Sequence, residues 1–155
     1  MALQLNDLKI TPRKGAYVYM PNVPQPHNCI VSPNQATALK AGDIVTVDSS
    51  VTNATCPVIK KAAANDVIFG VIPADVRKNS YIAREKVAVA VEGSYLYFIA
   101  SGSIVQGAKL YFNATSGKVT STATGGNSIV GIANTSAAGD GDFVQVKLHF
   151  ETTTA

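Results

Sequence analysis

The sequence predicts an all-β domain: an antiparallel β-sandwich or barrel, jelly-roll-like, preceded by an extended proline-rich N-terminal arm. Three observations carry that expectation. Apolar residues alternate with a period of two in stretch after stretch, Gly, Asn and Ser cluster between the stretches, and five of the seven prolines fall within the first 34 residues. A chain of 155 residues is one ordinary domain in size. At that length it buries roughly 68% of its unfolded surface, enough for a core without disulfide staples.

The arm comes first. Pro12, Pro21, Pro24, Pro26 and Pro33 remove amide donors and lock the backbone, so residues 1–34 exclude helix and admit at most edge strands. Tyr17, Val18, Tyr19 and Met20 are nonetheless apolar enough to need a partner, either the arm's own domain or a neighbouring subunit. The domain proper is expected over 35–155. Its strands read as "GDIVTVD" (42–48), "DVIFGVI" (66–72), "KVAVAVE" (86–92), "SYLYFIA" (94–100), "AKLYFN" (108–113), "NSIVGIAN" (127–134) and "DFVQVKLHF" (142–150), rich in β-branched and aromatic residues. Glu92-Gly93-Ser94 predicts a tight connection, and Gly117 closes a hairpin after "LYFNATS". Only 74–85, "ADVRKNSYIARE", has room for a turn or two of helix.

A weak internal echo runs through these strands. Gly42 answers to Gly107, Gly70 to Gly131, and Val89 to Val146. Duplication and the convergence of β-turn chemistry both account for it. A glycine inside a strand marks a bulge or a close backbone approach.

Little in the chain looks like chemistry. Charged residues make up 15%, against about 25% in an average globular chain. The net charge of +3 is spread too thinly for a groove that tracks phosphates, so nucleic acid is not an expected partner. Cys29 and Cys56 lack ligand spacing and read as reduced buried thiols, with a disulfide between them as the alternative. No stretch of 18 apolar residues occurs to span a membrane, and the N-terminus lacks the pattern of a secretory signal, so synthesis in a cytoplasm is expected. His149 alternates outward with Gln145 and Lys147, and His27 with Cys29 makes only two ligands. Asp140 and Asp142 in "AAGDGD" miss the calcium-loop pattern and read as turn formers. Phosphate-binding and nucleophile motifs do not occur. Neither an enzyme nor a cofactor is expected.

With the strands laid out, the chain resembles the structural-cement, or head-decoration, proteins of tailed bacteriophages over roughly residues 38–150. The pieces that carry the resemblance, in order, are "LKAGDIVTV", "FGVI", "VAVAVEGSYLY", "GAKLYFNATSGKVT", "IVGIANTSAAGDG" and "VQVKL". The stretch "PADVRKNSYIARE" is longer and more charged than that family's pattern, and the arm is longer too. The resemblance implies a non-enzymatic virion protein on the outer capsid surface, bridging capsomers as a dimer or trimer with the major capsid protein as partner. Interface contacts are then expected from Tyr17, Val18, Tyr19 and Met20 on the arm, and from Arg77, Lys78, Arg84 and Lys86. A carbohydrate- or receptor-binding module of a head fibre or tail is the alternative, with Tyr95, Tyr97 and Tyr111 as a stacking platform.

Overall fold

Alternating stretches become strands where one of their faces finds a core. The computed structural model describes residues 12–18, 24–52, 55–123 and 127–151. Its strands are β1 (His27–Val31), β2 (Leu39–Lys40), β3 (Ile44–Val47), β4 (Val58–Lys61), β5 (Gly70–Val71) and β6 (Ser80–Tyr81). They continue with β7 (Lys86–Val89), β8 (Tyr95–Ile99), β9 (Lys109–Phe112), β10 (Val119–Thr120), β11 (Ile129–Ala133) and β12 (Phe143–Glu151). Every one of the seven expected stretches contains a strand, and there is no helix among the described residues. The segment 74–85 instead contributes β6, because Tyr81 turns inward opposite Leu39.

Ten of these twelve strands form two rings, and β2 and β6 pair as a separate two-stranded sheet. One sheet runs β5-β3-β4-β1-β7, and a bridge from Val71 to Ala90 brings its ends together. The other runs β10-β9-β11-β12-β8, closed by a parallel bridge from Ala100 to Val119. One bridge each brings the rings close to closure, and the remaining edge of β8 is taken by residues 12–18, so little free edge is left to make the sheets sticky. Between sandwich and barrel, the chain forms two small barrels in tandem. The tight turn at Glu92-Gly93-Ser94 joins them, with Gly93 at φ 88°.

The barrels match in strand order and pairing. β1 pairs parallel with β4 and antiparallel with β7; β8 lies parallel to β10 and antiparallel to β12. Val45 faces Gly70 as Leu110 faces Gly131. The Gly42 amide donates to the Ile72 carbonyl at 2.7 Å, and the Gly107 amide donates to that of Ala133 at 2.8 Å. Ser32 N to Ile59 O recurs as Ser101 N to Val119 O. The two in-strand glycines are equivalent as well. A Cβ on Gly70 would collide with the Val89 side chain and Ala90 O, and one on Gly131 with the Val146 side chain and Lys147 O. The echo of Gly42/Gly107, Gly70/Gly131 and Val89/Val146 is thus a repeated structure.

The expectation that residues 1–34 hold at most an edge strand fails at β1, which lies between β4 and β7 inside its sheet. Pro26 and Pro33 stand outside the strand, so all its amides are free; the Ile30 and Val31 amides donate to Pro57 and Glu85 carbonyls. Proline density counted over a window missed the five proline-free residues within it.

Cys29, Val31, Leu39, Val45, Ile59, Ile72, Tyr81, Val87 and Val89 fill the first barrel. Leu96, Phe98, Leu110, Val130, Val144, Val146 and Leu148 lead the second core. Ile44, Val71 and Ala90, from the outer face of the first barrel, belong to that second core as well, so apolar packing is continuous across the junction.

Candidate interaction surface

The connection between Ile72 and Lys86 is one of three that are longer in the first barrel than in the second. Ile72 corresponds to Ala133 and Ile82 to Gly139, yet nine residues (73–81) separate the first pair and five (134–138) the second. The added chain is held in place. Asp75 Oδ1 accepts the Arg77 amide at 2.8 Å, Glu85 Oε2 accepts the Ile82 amide at 2.7 Å, and the Ala74 amide donates to Gly15 O. Lys78 donates to Glu85 Oε1 at 2.6 Å and lies 5.3 Å above the buried Tyr81 ring. Those contacts hold the Glu85 carboxyl below its ordinary range, the Lys78 hydrogen bond first among the causes.

Of the four expected cations, Lys78 is therefore engaged within the loop, whereas Arg77, Arg84 and Lys86 are exposed and form no ion pair among the described residues. Arg84 has φ +71°, the one non-glycine residue with positive φ among those described. Its counterpart is Gly141, at φ +90°: Arg84 N donates to Val31 O as Gly141 N donates to Ala100 O. An L side chain in that region costs roughly 1–2 kcal/mol. Two aliphatic residues that the sequence reading did not select, Val76 at 87% exposure and Ile82 at 61%, stand on the same loop. The length mismatch between the repeats points to the segment that carries Val76, as it does to two other connections.

Residues 12–18 form a strap between the barrels. The Gly15 and Val18 amides donate to Tyr97 O and Tyr95 O on β8, and Tyr97 N donates back to Ala16 O. Gly15 packs against the backbone of Gly42, leaving no room for a Cβ. Lys14 lays its stem over Gly42 and brings its ammonium toward Gly117 at the β9–β10 hairpin tip; burial lowers its pKa. Tyr17 pairs with Leu96 and packs against the second core, and burial raises its pKa. Its hydroxyl is buried without a partner among the described residues. Tyr17 and Val18 thus lie along β8; Tyr19 and Met20 fall outside the described residues.

Other polar groups serve the fold. His149 points outward on β12, with Nδ1 2.8 Å from Glu92 and Nε2 2.9 Å from Glu151. Asp142 accepts the Ala138 and Gly139 amides and Asp140 pairs with Lys118, so both aspartates shape their turn. His27 meets Phe69 edge-on at 5.9 Å. Cys29 is buried and Cys56 half-buried, and both border one cavity of about 330 Å³; burial pushes the Cys29 thiol up to about 11. Tyr95, Tyr97 and Tyr111 are each half-buried on their strands. No three His, Cys, Asp or Glu side chains among the described residues are grouped to hold a metal ion. No helix among them is long and apolar enough to cross a membrane.

Comparison with known proteins fits this geometry. No curated protein matches the sequence. Among solved structures, the chain is similar to the base of the head fibre gp8.5 N of bacteriophage phi29, with TM-score 0.51 and 17% identity. The likeness covers 83% of this chain and 96% of that one, and it is a likeness of fold. The sequence pattern of the phage cement proteins matches residues 24–148, spanning both barrels as far as Leu148 in β12. The chain therefore belongs to the phage cement protein family, structural components of the phage head.

Proposed function

We propose that this protein binds the outer surface of a phage capsid and cements neighbouring capsomers, with the major capsid protein as its partner. The observation that carries the reading is the family match across both barrels. Cementing asks for no catalytic group. A bridge between adjacent shell subunits adds binding free energy to the assembled shell and none to free subunits. Repeated over a lattice, modest contacts resist internal pressure through multivalency. Arg77, Lys78, Arg84 and Lys86 on the long loop, and Tyr17, Val18, Tyr19 and Met20 on the arm, are the contacts we assign to shell or neighbouring subunit. The active unit is a homo-dimer or homo-trimer on the virion surface, made in the cytoplasm of the host bacterium.

A second reading, a module at the base of a head fibre, takes its support from the fold shared with the phi29 fibre base. Quantitative mass spectrometry of purified virions separates the two. A ratio to the major capsid protein of one to one, or one to a small integer, is expected of a cement. A few copies per particle would favour the fibre reading, and absence from the virion would defeat both.

A further inference from the structure

Resting on that reading, we infer that the two barrels, although equivalent in fold, are unequal in function. The first barrel alone engages the shell, through the loop 73–86, and the surface it meets is a carboxylate-rich protein surface that also offers apolar area.

Three independent observations converge on the loop. It is a net addition of four residues relative to its counterpart in the second barrel (nine residues against five). Two other connections are also longer in the first barrel (33–41 against 102–106, and 49–58 against 114–118), but of the three this one joins exposed large aliphatics to exposed cations. The second barrel closes without the addition, so closure alone does not explain it, although here it also brings Tyr81 inward against Leu39. The addition places Val76 beside Arg77 and leads to Ile82 and Arg84; Val76 is the most exposed large apolar residue among those described. Exposed aliphatics on the same loop as cations lacking carboxylate partners supply both halves of a contact, apolar area and charge. Finally, Arg84 keeps its side chain in a backbone conformation where the second barrel uses Gly141. Strain retained at an exposed residue points to work done by the side chain outside the fold.

The counterpart turn in the second barrel has the opposite character. Its aspartates, Asp140 and Asp142, are spent on Lys118 and on the Ala138 and Gly139 amides, and Gly139 and Gly141 occupy the positions of Ile82 and Arg84. It offers neither exposed large aliphatic nor free cation. The loop is also pre-organised by Asp75, Glu85, Tyr81 and the strap, so little ordering opposes binding.

The test uses the full chain and cognate shells stripped of this protein, read by co-sedimentation across a salt series. Val76→Ser with Arg77→Ser and Ile82→Ser should lower shell affinity at least tenfold with Tm unchanged, all three positions being exposed. Val105→Ser with Lys147→Ser, exposed positions of the second barrel, should leave affinity unchanged. Arg84→Gly gives the sharper result: it should raise Tm, by removing the strain, while weakening shell binding and flattening its salt dependence. If the loop variants bind like the wild type, or if the second-barrel variant loses as much, the inference is overturned while the cement reading stands. If the wild-type chain itself fails to bind stripped shells, the cement reading falls first.

Discussion

Asp48 shows how one residue type divides the two repeats. It is buried at the end of β3, where its carboxylate accepts the Ser32 hydroxyl at 2.6 Å and the Ser50 hydroxyl at 2.7 Å. Lys60 stands at 3.8 Å. The Ser32 hydrogen bond, followed by that of Ser50, brings its pKa down to about 2. The equivalent position is Asn113, whose Oδ1 accepts the Thr115 amide as Asp48 Oδ1 accepts that of Ser50. Because the folded pKa lies below the ordinary aspartate value, the unfolded chain takes up the proton first as pH falls. Asp48's contribution is complete above about pH 4 and is lost as pH falls toward 2. Asp48→Asn, which copies the second barrel, should flatten the stability curve between those limits, as followed by urea unfolding at a series of pH values. An unchanged acid limb would show that other carboxylates govern it. Ser32→Ala should move the midpoint of the same limb upward, since it removes the largest cause of the shift.

Among elements, the strap 12–18 is the one whose role the sequence concealed. Its apolar residues and its glycine were legible; that Gly15 sits against Gly42 while bonding β8 was not, because both contacts are long-range. The same distinction separates the strands read correctly from those missed. β7, β8, β9 and β12 alternate for four residues or more, while β3 and β11 are mostly apolar runs of four and five residues; all six announce themselves. β4 ends in Lys60-Lys61, stabilised by Asp48 and Asp43 from elsewhere in the chain, and β2, β6 and β10 are two residues each, too short for any period to register. At the candidate surface the cations were visible as charges, but the exposure of Val76 and Ile82 depends on where the loop leaves the barrel. Deleting residues 1–18 tests the strap. It removes the three backbone hydrogen bonds to β8 and uncovers part of the second core, and should cost about 2–4 kcal/mol in denaturant unfolding. The bared β8 edge should also make the truncated chain self-associate at concentrations where the full chain does not. Equal stability and equal dispersity in sedimentation would show the strap to be ornamental.

For the molecule as a whole, the junction between the barrels decides whether it unfolds as one body or two. Ile44, Val71 and Ala90 lie in a row across neighbouring strands, all buried against the second barrel. The equivalent row on the second barrel is Lys109, Ile132 and Lys147, with both lysines exposed and Lys109 paired to Glu151. One face has thus been used twice, apolar where it is covered and charged where it is exposed. The arrangement is head-to-tail, which can repeat without limit; exposed lysine on that face opposes the barrel of a second copy stacking there. Since the apolar cluster spans the junction, the wild-type chain should unfold in one cooperative transition with calorimetric and van't Hoff enthalpies equal. Ile44→Lys writes the lysine of the exposed face into the covered row and buries an unpaired ammonium, at a cost of about 3–5 kcal/mol. That cost falls on the junction rather than on the interior of the first barrel, where Val45 and not Ile44 points. The variant should therefore show two transitions, the second barrel melting last because its own core is the larger cluster. A single transition merely shifted to lower temperature would mean that the first barrel has no stability of its own, and that the two repeats fold only as a pair.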